Sequence, residues 1–462
     1  MPPLLAELPY HSDSALLFEA IADWPWAVFL DSGLHHPTQS RYDILSAQPY
    51  MRLVTRGALT EINAETIELS RDDPFDLLRE RLAIDHACRG PLPFCGGAIG
   101  YFGYDLARRC QRLPVTACDA ERIPEMAVGI YDWALVVDHL ERRTWLVGQG
   151  RDPETDLKWD RLVRLFSTPV RERPRVPFRI TSPVVSNLTR ASYGRAFDRI
   201  KRYIFDGDCY QVNLAQRFSA SATGDPWLAY QALRVLNPAP FAAYLSTPYA
   251  HVLSASPERF LRVEDGRVET KPIKGTRPRA GHARLDAELA QVLRASEKDR
   301  AENVMIVDLL RNDLSKNCRL GSVTVPKLFD VESFATVHHL VSTVRGELAS
   351  GRDAIDLLRG CFPGGSITGA PKLRAMQIIE ELEPNRRGVY CGAIGYIGCD
   401  GDMDVNIAIR TLVMSRGETR FWAGGGIVAD SQLEDEYQET FDKAAAMLNL
   451  LQQAAATASR SQ

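Results

Sequence analysis

An α/β protein with two sheets facing each other and helices outside is the fold class this sequence predicts, on three observations. The chain has 462 residues, too many for one ordinary core, and its 45% hydrophobic and 25% charged composition is that of a globular chain with a substantial interior. Short apolar or alternating runs of strand type interleave with longer runs of helical period. Finally, GGAIGYFGYD at 96–105 is nearly repeated by CGAIGYIGCD at 391–400. That echo is either chance between two glycine-rich strands or the mark of two related sheets packed on each other.

The elements follow in order. WPWAVFLDS at 24–32 is an apolar run ending in turn residues, as in a buried strand, and alternation returns at 51–60. Residues 73–83 form an amphipathic helix with Pro74 in its first turn. The glycines of 96–105 suit backbones in close approach. A strand pattern covers 126–140 and a helix lies around 156–166. Between 167 and 187, prolines at 169, 174, 177 and 183 with no apolar period mark a boundary, separating an N-terminal region 1–170 from a second region 185–455. Thr189 caps a helix over 190–205 that stops at Asp206 and Gly207, where glycine can take the left-handed cap. Further helical runs cover 225–236, 285–313, 354–359, 371–381 and 433–453.

Composition narrows the function. Lys+Arg number 55 against 59 Asp+Glu, a net charge of -4, with no block of one sign, which argues against a nucleic-acid partner. The nine cysteines are odd in number, scattered and never in C-x-x-C spacing, as expected of reduced thiols in the cytoplasm. No apolar run approaches the roughly 18 residues a membrane span needs, and the N-terminus lacks a basic start followed by an apolar stretch.

Several segments can carry chemistry. KPIKGTRPR at 271–279 sets lysines and arginines between two prolines, which favours a stiff extended loop or edge strand. A lysine such as Lys274, held there in a partly desolvated pocket, becomes an amine nucleophile; a solvated basic loop is the alternative. Asp299 and Glu302 are three apart on one helix, and Glu436 and Glu439 repeat that spacing on another. Two such pairs can converge on a hard divalent cation or simply face water. Gly424, Gly425 and Gly426 offer bare backbone N–H groups to a carboxylate, although the lysine and threonine of a P-loop are missing. Arg410, among aliphatics in a strand pattern, wants an anion or a surface ion pair. PGGSITGAPK at 363–372 is a glycine-rich loop leading into a helix with Pro371 at its first turn, and His338 and His339 sit in a strand-like context.

Taken together and in this order, these segments resemble the chorismate-utilising enzymes. The resemblance covers nearly the whole chain. It is most specific from about 188 to 450, through GDCYQVNLAQRF, SASPERF, PIKGT, EKDRAENVMIVDLLRNDL, VHHLVSTVRG, PGGSITGAPK, YCGAIGY, NIAIRT, AGGGIV and DEYQETFDKA. It implies two large, mostly antiparallel sheets packed as a sandwich with helices outside. It also implies Mg2+ on Glu302 and Glu439, with Asp299 and Glu436 beside them, facing the ring carboxylate of chorismate. Glu258 would be the general acid for the C4 hydroxyl, with His339 near the same end of the ring. Arg410, Tyr390 and the backbone of Gly424, Gly425 and Gly426 would hold the enolpyruvyl carboxylate, while Thr276 and Thr368 line the pocket.

Within that family, PIKGT with Lys274 is similar to the aminating branch that makes 4-amino-4-deoxychorismate for 4-aminobenzoate and folate synthesis. Anthranilate-forming members, the alternative reading, carry alanine at that position. Members that add water keep a lysine base where Gln211 stands, and a glutamine cannot deprotonate water. No cysteine lies in the G-x-C-x-G setting of a glutaminase, so the resemblance implies a separate glutamine amidotransferase subunit as partner. Ser32, Asn237, Pro238 and Phe241 match pieces of the family's tryptophan pocket, equally readable as a core strand and a proline turn. The usual leucine-glutamate-serine is Leu30, Asp31 and Ser32 here.

Overall fold

Phe29 pairs with Tyr244 and Gly100 with Gly395, so strands from before and after the proline-rich boundary lie side by side in each of two large antiparallel sheets. The computed structural model describes residues 4–33, 41–168, 173–334 and 337–459. The first sheet has 13 strands and runs through Val28–Asp31, Phe241–Ser246, His251–Ser256, Thr411–Ser415, Glu418–Ile427 and Gln211–Thr223. The second has 12 and runs from the edge strand Ile273–Pro278 through Val337–Glu347, Arg259–Glu264, Met403–Ile407, Ala393–Gly398 and Gly97–Phe102 to Ile67–Ser70.

Their facing surfaces form an apolar layer. Val28, Val136, Ala243 and Val413 of the first sheet meet Val54, Ile99, Tyr101 and Ile394 of the second. Helices cover both outer faces. Phe18, Trp227, Tyr230 and Leu451 pack on the first sheet, and Phe75, Leu78, Val307 and Leu358 on the second. The sandwich expected from the resemblance is therefore present.

The 96–105 and 391–400 echo has a different meaning from the one proposed. The two segments are neighbours in one sheet, Gly97–Phe102 against Ala393–Gly398, and not one in each. A Cβ on Gly100 would lie 2.2 Å from the Ala127 carbonyl oxygen, which is why glycine stands there. Around the proline-rich segment, Arg179–Ile180 and Val185–Ser186 both pair with Gln211–Thr223, so this stretch lies along the first sheet. Pro169 and residue 170 fall outside the described residues.

Local signals behaved as their chemistry requires. Asp73 accepts from the Phe75 amide at 2.9 Å to start the helix Pro74–Leu82. Thr189 caps Arg190–Phe205, which ends at Asp206 with Gly207 at φ +82. Two runs split. The helical pattern at 285–313 becomes Ala283–Ala295 and Glu297–Ser315, because Ser296 leaves the helix to cap the second one. The alternation at 51–60 turns at Gly57 into the hairpin Met51–Arg56 and Leu59–Asn63.

Candidate active site

The segment 271–279 is an edge strand, as its prolines suggested. Ile273 pairs with Val341 and Thr276 with His339, leaving Lys274 and Gly275 as a bulge with Gly275 at φ +79. A Cβ on Gly275 would fall 2.8 Å from the Asp299 carboxyl carbon, so only glycine lets the strand come this near the helix Glu297–Ser315. Lys274 is half-buried, and its charge acts to lower the pKa of Glu258, Glu302 and Glu439 alike. Lys274 thus sits within electrostatic reach of all three acids, on a strand that runs against the helix carrying Asp299 and Glu302.

Glu258 precedes the strand Arg259–Glu264 and is 7% exposed. Burial pushes its pKa up, against the opposing pull of the Ser366 hydroxyl, the Lys274 charge and the Ile273 N–H. The carboxyl is thus biased toward its protonated form, as an acid catalyst requires. His339 lies on Val337–Glu347 with Nδ1 2.9 Å from the Thr276 hydroxyl. Burial, reinforced by the Arg410 charge, lowers its pKa to about 4, so the ring is neutral at physiological pH.

Arg410 occupies the link between Met403–Ile407 of one sheet and Thr411–Ser415 of the other, not a strand interior. Its Nη1 donates to Asn237 Oδ1 at 3.3 Å, and burial alone lowers its pKa, with no acid among the described residues countering it. Nearby, Glu418–Ile427 is paired on both sides only as far as Phe421. Beyond that, alternate backbone N–H groups of the run through Gly424, Gly425 and Gly426 turn to the gap beside Arg410. A Cβ on Gly426 would lie 2.0 Å from Gln211 Nε2. Gln211 itself is 0% exposed, with neither amide atom hydrogen-bonded. Tyr390 is buried and stacks on Trp422 at 5.9 Å. Thr368 is buried, its hydroxyl donating to the Gly364 carbonyl at 3.0 Å, whereas Thr276 is exposed and its hydroxyl bonds His339.

The acidic side chains come from two helices. Glu436 and Glu439 stand at the start of the helix Leu433–Ser459, against Gly425, where a Cβ would meet Glu436 Oε2 at 3.0 Å and Glu439 Oε1 at 3.4 Å. The Ser431 hydroxyl donates to Glu436 Oε1 at 2.6 Å, while Glu436 Oε2 is buried without a partner. Burial raises the Glu436 pKa, with the Glu439 charge adding to the rise. Burial also acts to raise Glu439, but Lys443, 2.6 Å away, and the more distant Lys274 and Lys298 outweigh it and hold this pKa low. Burial raises Glu302, opposed by Lys274 and Lys298 and helped by Glu439 and Asp299. Asp299 is itself taken up by Arg277 at 3.1 Å, which removes it from the free acids.

Among the described residues no three His, Cys, Asp or Glu side chains close on one point as a complete metal site. Glu302 and Glu439 repelling each other, with the unpartnered Glu436 oxygen behind them, fit a different arrangement. Magnesium takes one or two carboxylates and completes its shell with water and ligand oxygens. An oxygen-only donor set of this kind suits it.

The tryptophan-pocket residues divide. Ser32 and Phe241 line a cavity of about 900 Å3 bounded by strands of both sheets, together with Tyr42, Pro240 and Asn406. The Ser32 hydroxyl donates to Asp43 at 2.6 Å, and Asp31 accepts from Arg234 at 2.7 Å. Asn237 and Pro238 do not line it; Asn237 contacts Arg410, and Pro238 is exposed. All nine cysteines are free, and no helix among the described residues is long and apolar enough to cross a membrane.

Sequence reasoning missed two supporting residues. Ser366, inside PGGSITGAPK, bonds Glu258, a contact no spacing rule indicates. Lys443 was legible, standing four residues after Glu439, where helix geometry makes an ion pair.

Residues 35–449 match the family described as chorismate binding enzyme. Aminodeoxychorismate synthase component 1 of Klebsiella aerogenes is 48% identical over 457 residues, covering 98% of this chain and 100% of that one. Its namesake from Escherichia coli (strain K12) is 46% identical over 472 residues, covering 98% and 99%. The crystal structure of anthranilate synthase component I from Streptococcus pneumoniae TIGR4 superposes with a TM-score of 0.80 at 34% identity, covering 88% of this chain and 92% of that one. With the sandwich, the buried acid and the unpaired arginine all in place, this chain belongs to the chorismate binding enzyme family.

Proposed function

We propose that the chain aminates chorismate at C4 to 4-amino-4-deoxychorismate, on the route to 4-aminobenzoate and folate, using ammonia that a separate glutamine amidotransferase subunit releases. The observation that carries this reading is Lys274, held on a bulge beside Gly275 against the Asp299 helix, within electrostatic reach of Glu258, Glu302 and Glu439. Relatives named aminodeoxychorismate synthase component 1 support it over nearly the full length.

In the first step the free-base Lys274 amine forms a bond to C2 of chorismate. Both conjugated ring double bonds shift by one position, the C4–O bond breaks, and Glu258 gives its proton so that the hydroxyl leaves as water. Ammonia then bonds to C4, both double bonds return, the C2–Nζ bond breaks to restore the Lys274 amine, and the proton shed by the new C4 nitrogen returns to Glu258. Arg410 and the backbone amides of the glycine strand grip the enolpyruvyl carboxylate, and Tyr390 and Thr368 bound the pocket. Neutral His339 lies beside Thr276 at the reacting end and adds no positive charge there. Magnesium, which Glu302 and Glu439 with Glu436 would hold, offsets the charge of the ring carboxylate when bound. Pyruvate stays on the product, which separates this reaction from anthranilate formation. The cavity at Ser32 and Phe241 is large enough for an amino acid such as tryptophan, and nine free thiols suit the reducing cytoplasm.

Quenching the protein with chorismate and magnesium, without ammonia, and weighing it tests the reading. The intact chain should gain the mass of chorismate less water, and Lys274→Ala should not, with amination falling at least about hundredfold. A Lys274→Ala protein that still forms the adduct removes this lysine from the chemistry.

A further inference from the structure

We infer that the amidotransferase subunit docks on the surface made by Phe205, Tyr210 and Leu373, an inference that rests on the reading above. Phe205 is 91% exposed, Tyr210 70% and Leu373 43%. They belong to the end of the helix Arg190–Phe205, the residue ahead of the strand Gln211–Thr223, and the first turn of the helix Lys372–Leu382. Three contacts join these segments into one platform. The Tyr210 amide donates to the Ala370 carbonyl at 2.7 Å, Arg374 donates to Asp208 at 3.2 Å, and the Arg374 guanidinium lies 4.9 Å above the Tyr203 ring. Aromatic and aliphatic side chains held in water on a well-tied platform are what a protein interface presents.

Position selects the occupant. Tyr210 and Gln211 are consecutive, yet one lies in solvent and the other is wholly buried beside Gly426 with its amide unpartnered. The platform is thus one residue's thickness from the floor of the site, and ammonia set free there crosses little water in which to be protonated. Connection points the same way. Lys201, on the same helix, donates to the Ala429 carbonyl and to that of Ser431 at 3.1 Å, in the segment leading to Glu436 and Glu439. Ala370 ends the segment whose Ser366 bonds Glu258. The platform is thus bonded, through Lys201 and Tyr210, to both stretches that position the acids. The docking subunit's own face should be apolar, because the charges at the rim are of both signs, exposed Asp206 beside Arg202 and Asp208 paired with Arg374.

The test compares nitrogen sources in the complex formed with the glutamine amidotransferase subunit of the same organism. Phe205→Glu and Leu373→Glu should each cut glutamine-driven amination by about tenfold or more and weaken co-elution of the subunits, while ammonia-driven amination stays within about twofold. Tyr210→Ala serves as a milder change, and Ile67→Glu, on the exposed strand at the opposite end of the second sheet, should leave both rates alone. Glutamine-driven turnover that survives the Phe205 and Leu373 changes, or equal loss with both nitrogen sources, overturns the docking surface. An unsubstituted chain that makes no aminated product from chorismate and ammonia overturns the functional reading instead.

Discussion

Lys443 bonds the Glu439 carboxylate at 2.6 Å and the Gly424 carbonyl at 3.0 Å, so one ammonium ties the acidic helix to the glycine strand. Without it Glu439 loses both its orientation and the strongest of the charges that keep its pKa low. Lys443→Met should therefore raise the magnesium concentration needed for half-maximal amination by about tenfold or more. A magnesium titration of chorismate consumption checks this.

Glu258 sets a pH limit. Because burial raises its pKa, the folded protein holds this proton more tightly than the unfolded chain. Its contribution to stability is complete below the ordinary carboxyl range and is lost as pH rises through the folded value. Amination should fall across the same interval as the acid ionises. Glu258→Gln should reduce the rate by roughly 10²- to 10⁴-fold. It should also melt higher than the unsubstituted protein above that interval and equally below it, which melting curves across pH would show.

Arg410 is held for a ligand at a cost to the fold. A half-buried, partly desolvated guanidinium with no acid opposite it destabilises the empty protein, and an incoming carboxylate relieves that. Arg410→Met should raise KM for chorismate by about ten- to hundredfold without lowering the melting temperature. Steady-state kinetics beside calorimetry separates the two effects.

What the sequence revealed depended on the range of the interaction. Thr189, Asp73 and Gly207 act within a few residues, so the helices they bound were readable, and the prolines around Lys274 announced an extended strand. Arg410 stood out as a charge among aliphatics, whereas Glu258 entered through the family resemblance, which says who takes part but not how they are held. The bulge at Gly275, the hold of Arg277 on Asp299 and the Asn237–Arg410 bond join segments tens to hundreds of residues apart. Spacing along a chain carries no record of such contacts. The 96–105 and 391–400 echo left its two alternatives open for the same reason, since resemblance between strands does not say whether they become neighbours or opposites.

That neighbouring pair has a wider consequence. With Gly97–Phe102 stitched to Ala393–Gly398 and Val28–Asp31 to Phe241–Ser246, the opening third of the polypeptide acts as the missing staves of two half-built walls. A ribosome must deliver nearly the whole message before either wall can close. Until then, raw sheet margins stay open to whatever strand comes by, and truncated products of this chain should clump rather than work.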